Sequence, residues 1–149
     1  MPELRDHRLV ESLATALETT GFVSLSPPAE ALQPPPHAVL LRVEFHGPKH
    51  GRIEMVTSVG LGLQLLQNTL GCDSSETLVF PNPRDPLVEI ANITCGLLLK
   101  SFGFSCGFDT SVPRVEPFDA AQWPSFVNDQ RCDVVDADGF AVAIRLFEE

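Results

Sequence analysis

The stretch from Asp85 to Gly103, Asp-Pro-Leu-Val-Glu-Ile-Ala-Asn-Ile-Thr-Cys-Gly-Leu-Leu-Leu-Lys-Ser-Phe-Gly, constrains the fold more than any other part of the chain. It carries start and stop signals for a helix. Asp85 is a candidate N-cap, because a residue before proline is biased away from helical dihedrals, and Pro86 suits the first helical position, where its missing N–H is not needed. Gly103 suits the left-handed residue that closes the far end. On a helical wheel, Leu87, Val88, Ile90, Ala91, Ile93, Cys95, Leu97, Leu98, Leu99 and Phe102 cover nearly the whole circumference, the pattern of a helix buried inside a domain. Glu89, Asn92, Gly96 and Lys100 interrupt it at i, i+3, i+7 and i+11, in a stripe roughly 80° wide. One edge of a buried helix is therefore expected to face solvent.

A chain of 149 residues is long enough for a single domain, 1–149, with a real core, and 44% hydrophobic and 20% charged residues argue against disorder. No apolar run reaches the ~18 residues of a membrane span. The polar N-terminus lacks the apolar core of a signal peptide, so the expected location is cytoplasmic. A net charge of -10, without runs of Lys and Arg, argues against nucleic acid and anionic membrane as partners. Cys72, Cys95, Cys106 and Cys132 include no C-x-x-C pair and are expected to be reduced, mostly as small buried hydrophobes.

Residues 5 to 18 set Leu9, Val10, Leu13, Ala16 and Leu17 against Arg8, Glu11, Ser12 and Glu18, an amphipathic helix ending near Gly21. The Pro-rich segment, with Pro27-Pro28 and Pro34-Pro35-Pro36, cannot continue it and suits an extended surface connection. Residues 38 to 46 alternate, with Val39, Leu41, Val43 and Phe45 on one side. After the turn residues Gly47 to Gly51, Arg52 to Thr57 alternates again, which completes an antiparallel hairpin. Ser58 is a candidate cap for a helix with Val59, Leu63, Leu66 and Leu70 on one face, closed by Gly71. Residues 72 to 86 read as a loop. Phe104 to Val115 reads as extended, with Pro113 confining it to a sheet edge or strand end. Glu116 to Pro124 reads as irregular, with Trp123 anchoring on the rim of the core. Cys132 to Val135, Asp138-Gly139, and the alternation of Phe140, Val142, Ile144 and Leu146 predict a second hairpin. The order predicts an α+β fold: long helices packed on a mostly antiparallel sheet.

Phosphate loop, nucleophile elbow and H-E-x-x-H motifs are all missing. His46 and His50 straddle the first turn and are read as exposed turn histidines rather than as a metal site; no metal or cofactor is assigned to this chain. That leaves the stripe. It is either the wet side of a helix or a site, and two residues favour the site. Asparagine is a mediocre helix former, and Gly96, at about 1 kcal/mol relative to alanine, removes a side chain where another backbone would come close.

Glu89-Ile90-Ala91-Asn92-Ile93-Thr94-Cys95-Gly96 resembles the E-x-x-N signature, with its glycine four residues on, of the CheC/CheX/FliY chemotaxis phosphatases. Ser111-Val112-Pro113-Arg114-Val115 is similar to the serine and proline strand that follows this helix in the family, and the element order agrees over most of the chain. A single signature is CheX-like. The resemblance implies a CheX/CheC-like fold and hydrolysis of the aspartyl phosphate of a CheY-like response-regulator receiver, which itself holds Mg²⁺. Asn92 would orient the attacking water, and Glu89 would pair with the receiver's lysine. Gly96 would allow close approach, and Lys100 is either a contact to the receiver's acidic surface or an exposed lysine without a role. A homodimer is also implied. The alternative is a non-catalytic CheX-like binding or dimerisation module in a signalling or flagellar complex. One departure stands out: family helices commonly begin well before the glutamate, whereas Pro86 lies three residues ahead of Glu89.

Overall fold

The alternation in residues 38–58 builds the middle of the sheet. Strand β2 (Ala38–His46) pairs antiparallel with β3 (Gly51–Ser58), from Ala38 opposite Ser58 to Phe45 opposite Gly51. The computed structural model describes residues 7–28, 33–70, 82–105 and 107–149. The second predicted hairpin forms from β6 (Cys132–Ala137) and β7 (Phe140–Glu148), and β7 lies against β3. Its turn has positive φ at both Asp138 and Gly139, as a type I′ turn requires. The short strand β1 (Leu25–Ser26), inside a segment read as a plain connection, adds to β6.

The opposite edge is an interrupted strand. Strands β4 (Asp109–Thr110) and β5 (Arg114–Pro117) both pair with β2. Between Phe45–Thr110 and Arg42–Arg114 the edge uses one residue more than β2, which is a bulge. Ser111 bridges it: its N–H donates to the Glu44 carbonyl, and its Oγ accepts the Glu44 N–H, both at 2.9 Å. Pro113, without an N–H, sits in the break, so its expected confinement to an edge holds.

On one face of the sheet Val39, Leu41, Val43, Phe45, Ile53, Met55, Val142 and Ile144 are buried under helices α1 (His7–Gly21), α2 (Val59–Leu70) and α3 (Arg84–Ser101). Helix α1 packs along α3, contributing Leu9, Leu13, Ala16 and Leu17. Ser12, expected on its wet side, is buried and donates its hydroxyl to the Arg8 carbonyl at 2.7 Å. Gly21 is the last helical residue, where Leu65 occupies the space a Cβ would need, and Phe22 takes the left-handed position that follows, with φ 58. Ser58 caps α2 as expected, accepting the Gly60 N–H at 3.0 Å. Of the predicted face of α2, Leu66 is buried as expected, but Leu61 and Leu65 join it in place of Val59 and Leu63, which are half-buried, because Gly62 turns its bare side to the backbone of Pro83. Gly71 and the segment read as a loop over 72–81 lie outside the described residues.

The other face of the sheet is covered only in part. A 3₁₀ turn (Ala120–Gln122) and helix α4 (Trp123–Val127) form where an irregular chain was expected, with the Asp119 side chain accepting the Ala121 N–H. Trp123 and Phe126 pack there on Val56, Cys132 and Ala143, so Trp123 is a buried centre of a second small core rather than a rim residue.

Candidate functional site

Helix α3 begins two residues before the position read from sequence. Asn82 starts it: the Asn82 side chain accepts the Arg84 N–H at 2.9 Å, and its carbonyl accepts the Asp85 N–H at 3.0 Å. Asp85 is therefore a first-turn acid and not the N-cap, and Pro86 lies inside the first turn, where no N–H is called for. Glu89 consequently sits in the second turn, away from the fraying end, and the departure noted from the family pattern narrows. Gly103 closes the helix as expected, with φ 76 and its N–H on the Lys100 carbonyl. Asp85 at the start and Lys100 at the end both complement the helix dipole.

The buried side of α3 is Leu87, Ile90, Ala91, Thr94, Cys95, Leu98 and Leu99. Glu89, Asn92, Gly96 and Lys100 are all exposed on the opposite side, so the predicted stripe is present as one row about 16 Å long. A Cβ added to Gly96 would meet nothing within 4 Å, which means the glycine is not demanded by packing inside this chain. Recesses flank both ends of the row. Beside Glu89, the end of α1 and the Leu65–Thr69 turn of α2 enclose 320 Å³ of largely apolar groove. Beside Gly96 and Lys100, Leu99, Phe104 and Phe108 line another of 300 Å³, and Phe104 stays 47% exposed. Sequence reasoning missed both recesses; the one available signal was an apolar Phe104 placed after the helix stop.

Other candidate chemistry falls away from this row. His46 and His50 face each other across the first hairpin, Nδ1 to Nδ1 at 3.2 Å, and no group of three His, Cys, Asp or Glu gathers among the described residues. Burial pushes the Cys95 thiol up to about 11 and the Cys132 thiol to about 12, so both stay protonated and unreactive. Cys72 and Cys106 lie outside the described residues. The clustering of basic residues that the linear sequence lacks does occur in space: Arg42, Arg52 and Arg145 converge on Glu54, on the sheet face away from the helices. Among the described residues no helix is long and apolar enough to cross a membrane.

No protein-family model matches the chain, and no curated protein matches it in sequence. Solved structures do match. The chain is similar to a chemotaxis protein CheX from Vibrio vulnificus, at TM-score 0.65 and 20% identity over 99% of this chain and 100% of that one. It is similar to a putative chemotaxis protein from Desulfovibrio vulgaris Hildenborough, at TM-score 0.67 and 14% identity over 95% and 94%. A CheX-CheY-BeF3-Mg²⁺ complex from Borrelia burgdorferi also matches, at TM-score 0.58 and 11% identity over 96% of both chains. The expected CheX/CheC-like α+β fold is thus the fold of this chain, and at these identities the likeness speaks for fold alone.

Proposed function

We propose that this chain is a CheX-like phosphatase acting on the aspartyl phosphate of a CheY-like receiver domain. One observation carries the reading: Glu89 and Asn92 stand one turn apart, both exposed, on a helix whose remaining sides are gripped by α1, α2 and the sheet. A rigid platform of this kind suits a reaction whose difficulty is positioning. The receiver's own Mg²⁺ is part of the substrate and neutralises phosphoryl oxygens, so what this chain adds is a placed water.

The Asn92 carboxamide accepts a hydrogen bond from that water on its oxygen while its N–H₂ donates to the phosphoryl group, adding no charge beside it. The water oxygen bonds to phosphorus and the bond to the aspartyl oxygen breaks. Inorganic phosphate leaves carrying both of the water's protons, and the receiver's carboxylate is restored. Glu89 pairs with the receiver's active-site lysine, a charge-assisted contact that sets the register of the two proteins. Gly96 lets the receiver backbone close on the helix, and Lys100 with Phe104 bounds the far end of its footprint. A homodimer belongs to the same reading; a concentration-independent monomer in sedimentation would remove that part.

The test is decay of a phosphorylated CheY-like receiver. Wild-type chain should accelerate it, Asn92→Ala should lose about 100-fold of that acceleration while still binding, and Glu89→Ala should weaken binding itself. A non-catalytic module of the same fold would bind the receiver with or without Asn92 and leave its decay unchanged, and that result sinks the enzymatic reading.

A further inference from the structure

The cross-strand register places Arg114, Arg42, Glu54 and Arg145 in one row across β5, β2, β3 and β7, on the face opposite the helices. Arg52, two residues before Glu54, joins from the neighbouring row. Glu54 is 2% exposed. Its Oε2 accepts from Arg42 Nε at 3.0 Å and Arg52 Nε at 2.9 Å, and its Oε1 accepts from Arg145 Nε at 2.9 Å and Nη2 at 2.8 Å. One guanidinium suffices to neutralise one carboxylate. Asp129 shares Arg145 at 3.4 Å and Glu44 stands opposite Arg52 in the register, but among the residues lining the adjoining 450 Å³ cavity three guanidinium groups meet the single carboxylate of Glu54, in a chain whose net charge is -10.

Two further features separate this cluster from a network that serves Glu54 alone. Arg42 and Arg52 make their closest contacts to it through Nε, and the two side chains remain 31% and 33% exposed, with the Arg52 guanidinium also lying over the Phe147 ring at 3.9 Å. A part-exposed guanidinium anchored through Nε keeps Nη donors toward solvent, the paired groups that fit an oxyanion. The cavity also has an apolar wall, Leu40 and Phe118, beside the Ser125 hydroxyl. Its volume lies in the range of small-molecule sites, far above what a bare inorganic anion fills.

We propose that this sheet face binds a small organic anion, its carboxylate or phosphate held by the Nη groups of Arg42 and Arg52 and its apolar body lying on Leu40 and Phe118. The site is separate from the α3 row and does not depend on the phosphatase reading. A ligand there replaces like-charge crowding with two charge-assisted hydrogen bonds, and its size requirement comes from the apolar wall.

The experiment is an amide NMR titration of the full chain with phenyl phosphate, benzoate and inorganic phosphate at low ionic strength. At least one aromatic anion should shift amides of β2, β3 and α4, about tenfold more tightly than inorganic phosphate, and which of the two does so identifies the headgroup. Arg42→Gln with Arg52→Gln should weaken it about tenfold or more. Phe118→Ala, which leaves every charge in place, should weaken the aromatic anion and leave inorganic phosphate unchanged. Absence of shifts on this face with all three anions up to about 10 mM overturns the proposal, as do shifts that persist unaltered in both variants.

Discussion

Ile53 and Met55 on β3 point into the helical side of the sheet, each 1% exposed, while Glu54 between them points to the other side and is just as inaccessible at 2%. The first pair is held by apolar neighbours alone. Glu54 is held by three guanidinium groups, with Asp129 tying Arg145 and Arg131 into the same cluster at 3.4 and 2.9 Å. Strand alternation thus decides which side a residue faces but not how that side is stabilised. On the helical side each lost contact is a separate loss; on the other, removing one carboxylate leaves several cations without a counter-charge, and the outcome depends on pH.

The largest expected effect is on the helical side. Phe45 is fully buried, and Phe45→Ala should lower unfolding free energy by about 4 kcal/mol, shifting a denaturant midpoint by the same step at neutral and acid pH. Glu54→Gln should take away about 3 kcal/mol near neutrality and progressively less in acid. Burial alone would raise the Glu54 carboxyl, but hydrogen bonds from Arg52 and Arg145 outweigh it and hold the group below its ordinary 4.5. Asp129 is held at about 2, chiefly by the hydrogen bond from Arg131. A carboxylate with a depressed folded value stabilises fully above its ordinary value and stops doing so as pH falls through the depressed one. Wild-type stability should therefore fall from pH 4.5 toward about 2, and the slope should flatten in Glu54→Gln. An equal loss at both ends of that range would erase the contrast between the two faces. The smallest effect has the opposite sign: Gly96→Ala should stabilise the fold by about 0.5–1 kcal/mol in a thermal melt while weakening receiver binding. If the alanine chain binds as well as wild type, close approach at Gly96 is not part of the site.

Local periodicity made much of this legible. Both hairpins follow from two-residue alternation with turn residues between, and the exposed row on α3 follows from four polar or small positions on one side of an apolar wheel. What failed were features set by side chains reaching across space. Asn82 starts α3 through its own carboxamide, whereas Asp85-Pro86 offered a stronger local signal three residues later. Helix α2 presents a partly different face than expected because a glycine there serves packing, and composition treats glycine only as a weakener. The Glu54 cluster joins residues 12 and 91 positions away, a relation only the strand register discloses.

Gly62 bears on how freely this chain can vary. The carbonyl of Pro83, at the very origin of the helix that presents Glu89 and Asn92, occupies the space where any side chain at 62 would begin. Its neighbours Leu61 and Leu65 touch other side chains, which can be exchanged in compensating pairs. A main-chain carbonyl offers no such partner to exchange. Position 62 is therefore closed to drift while the core around it stays open, and the aim of the exposed row is inherited through a residue that carries no functional group.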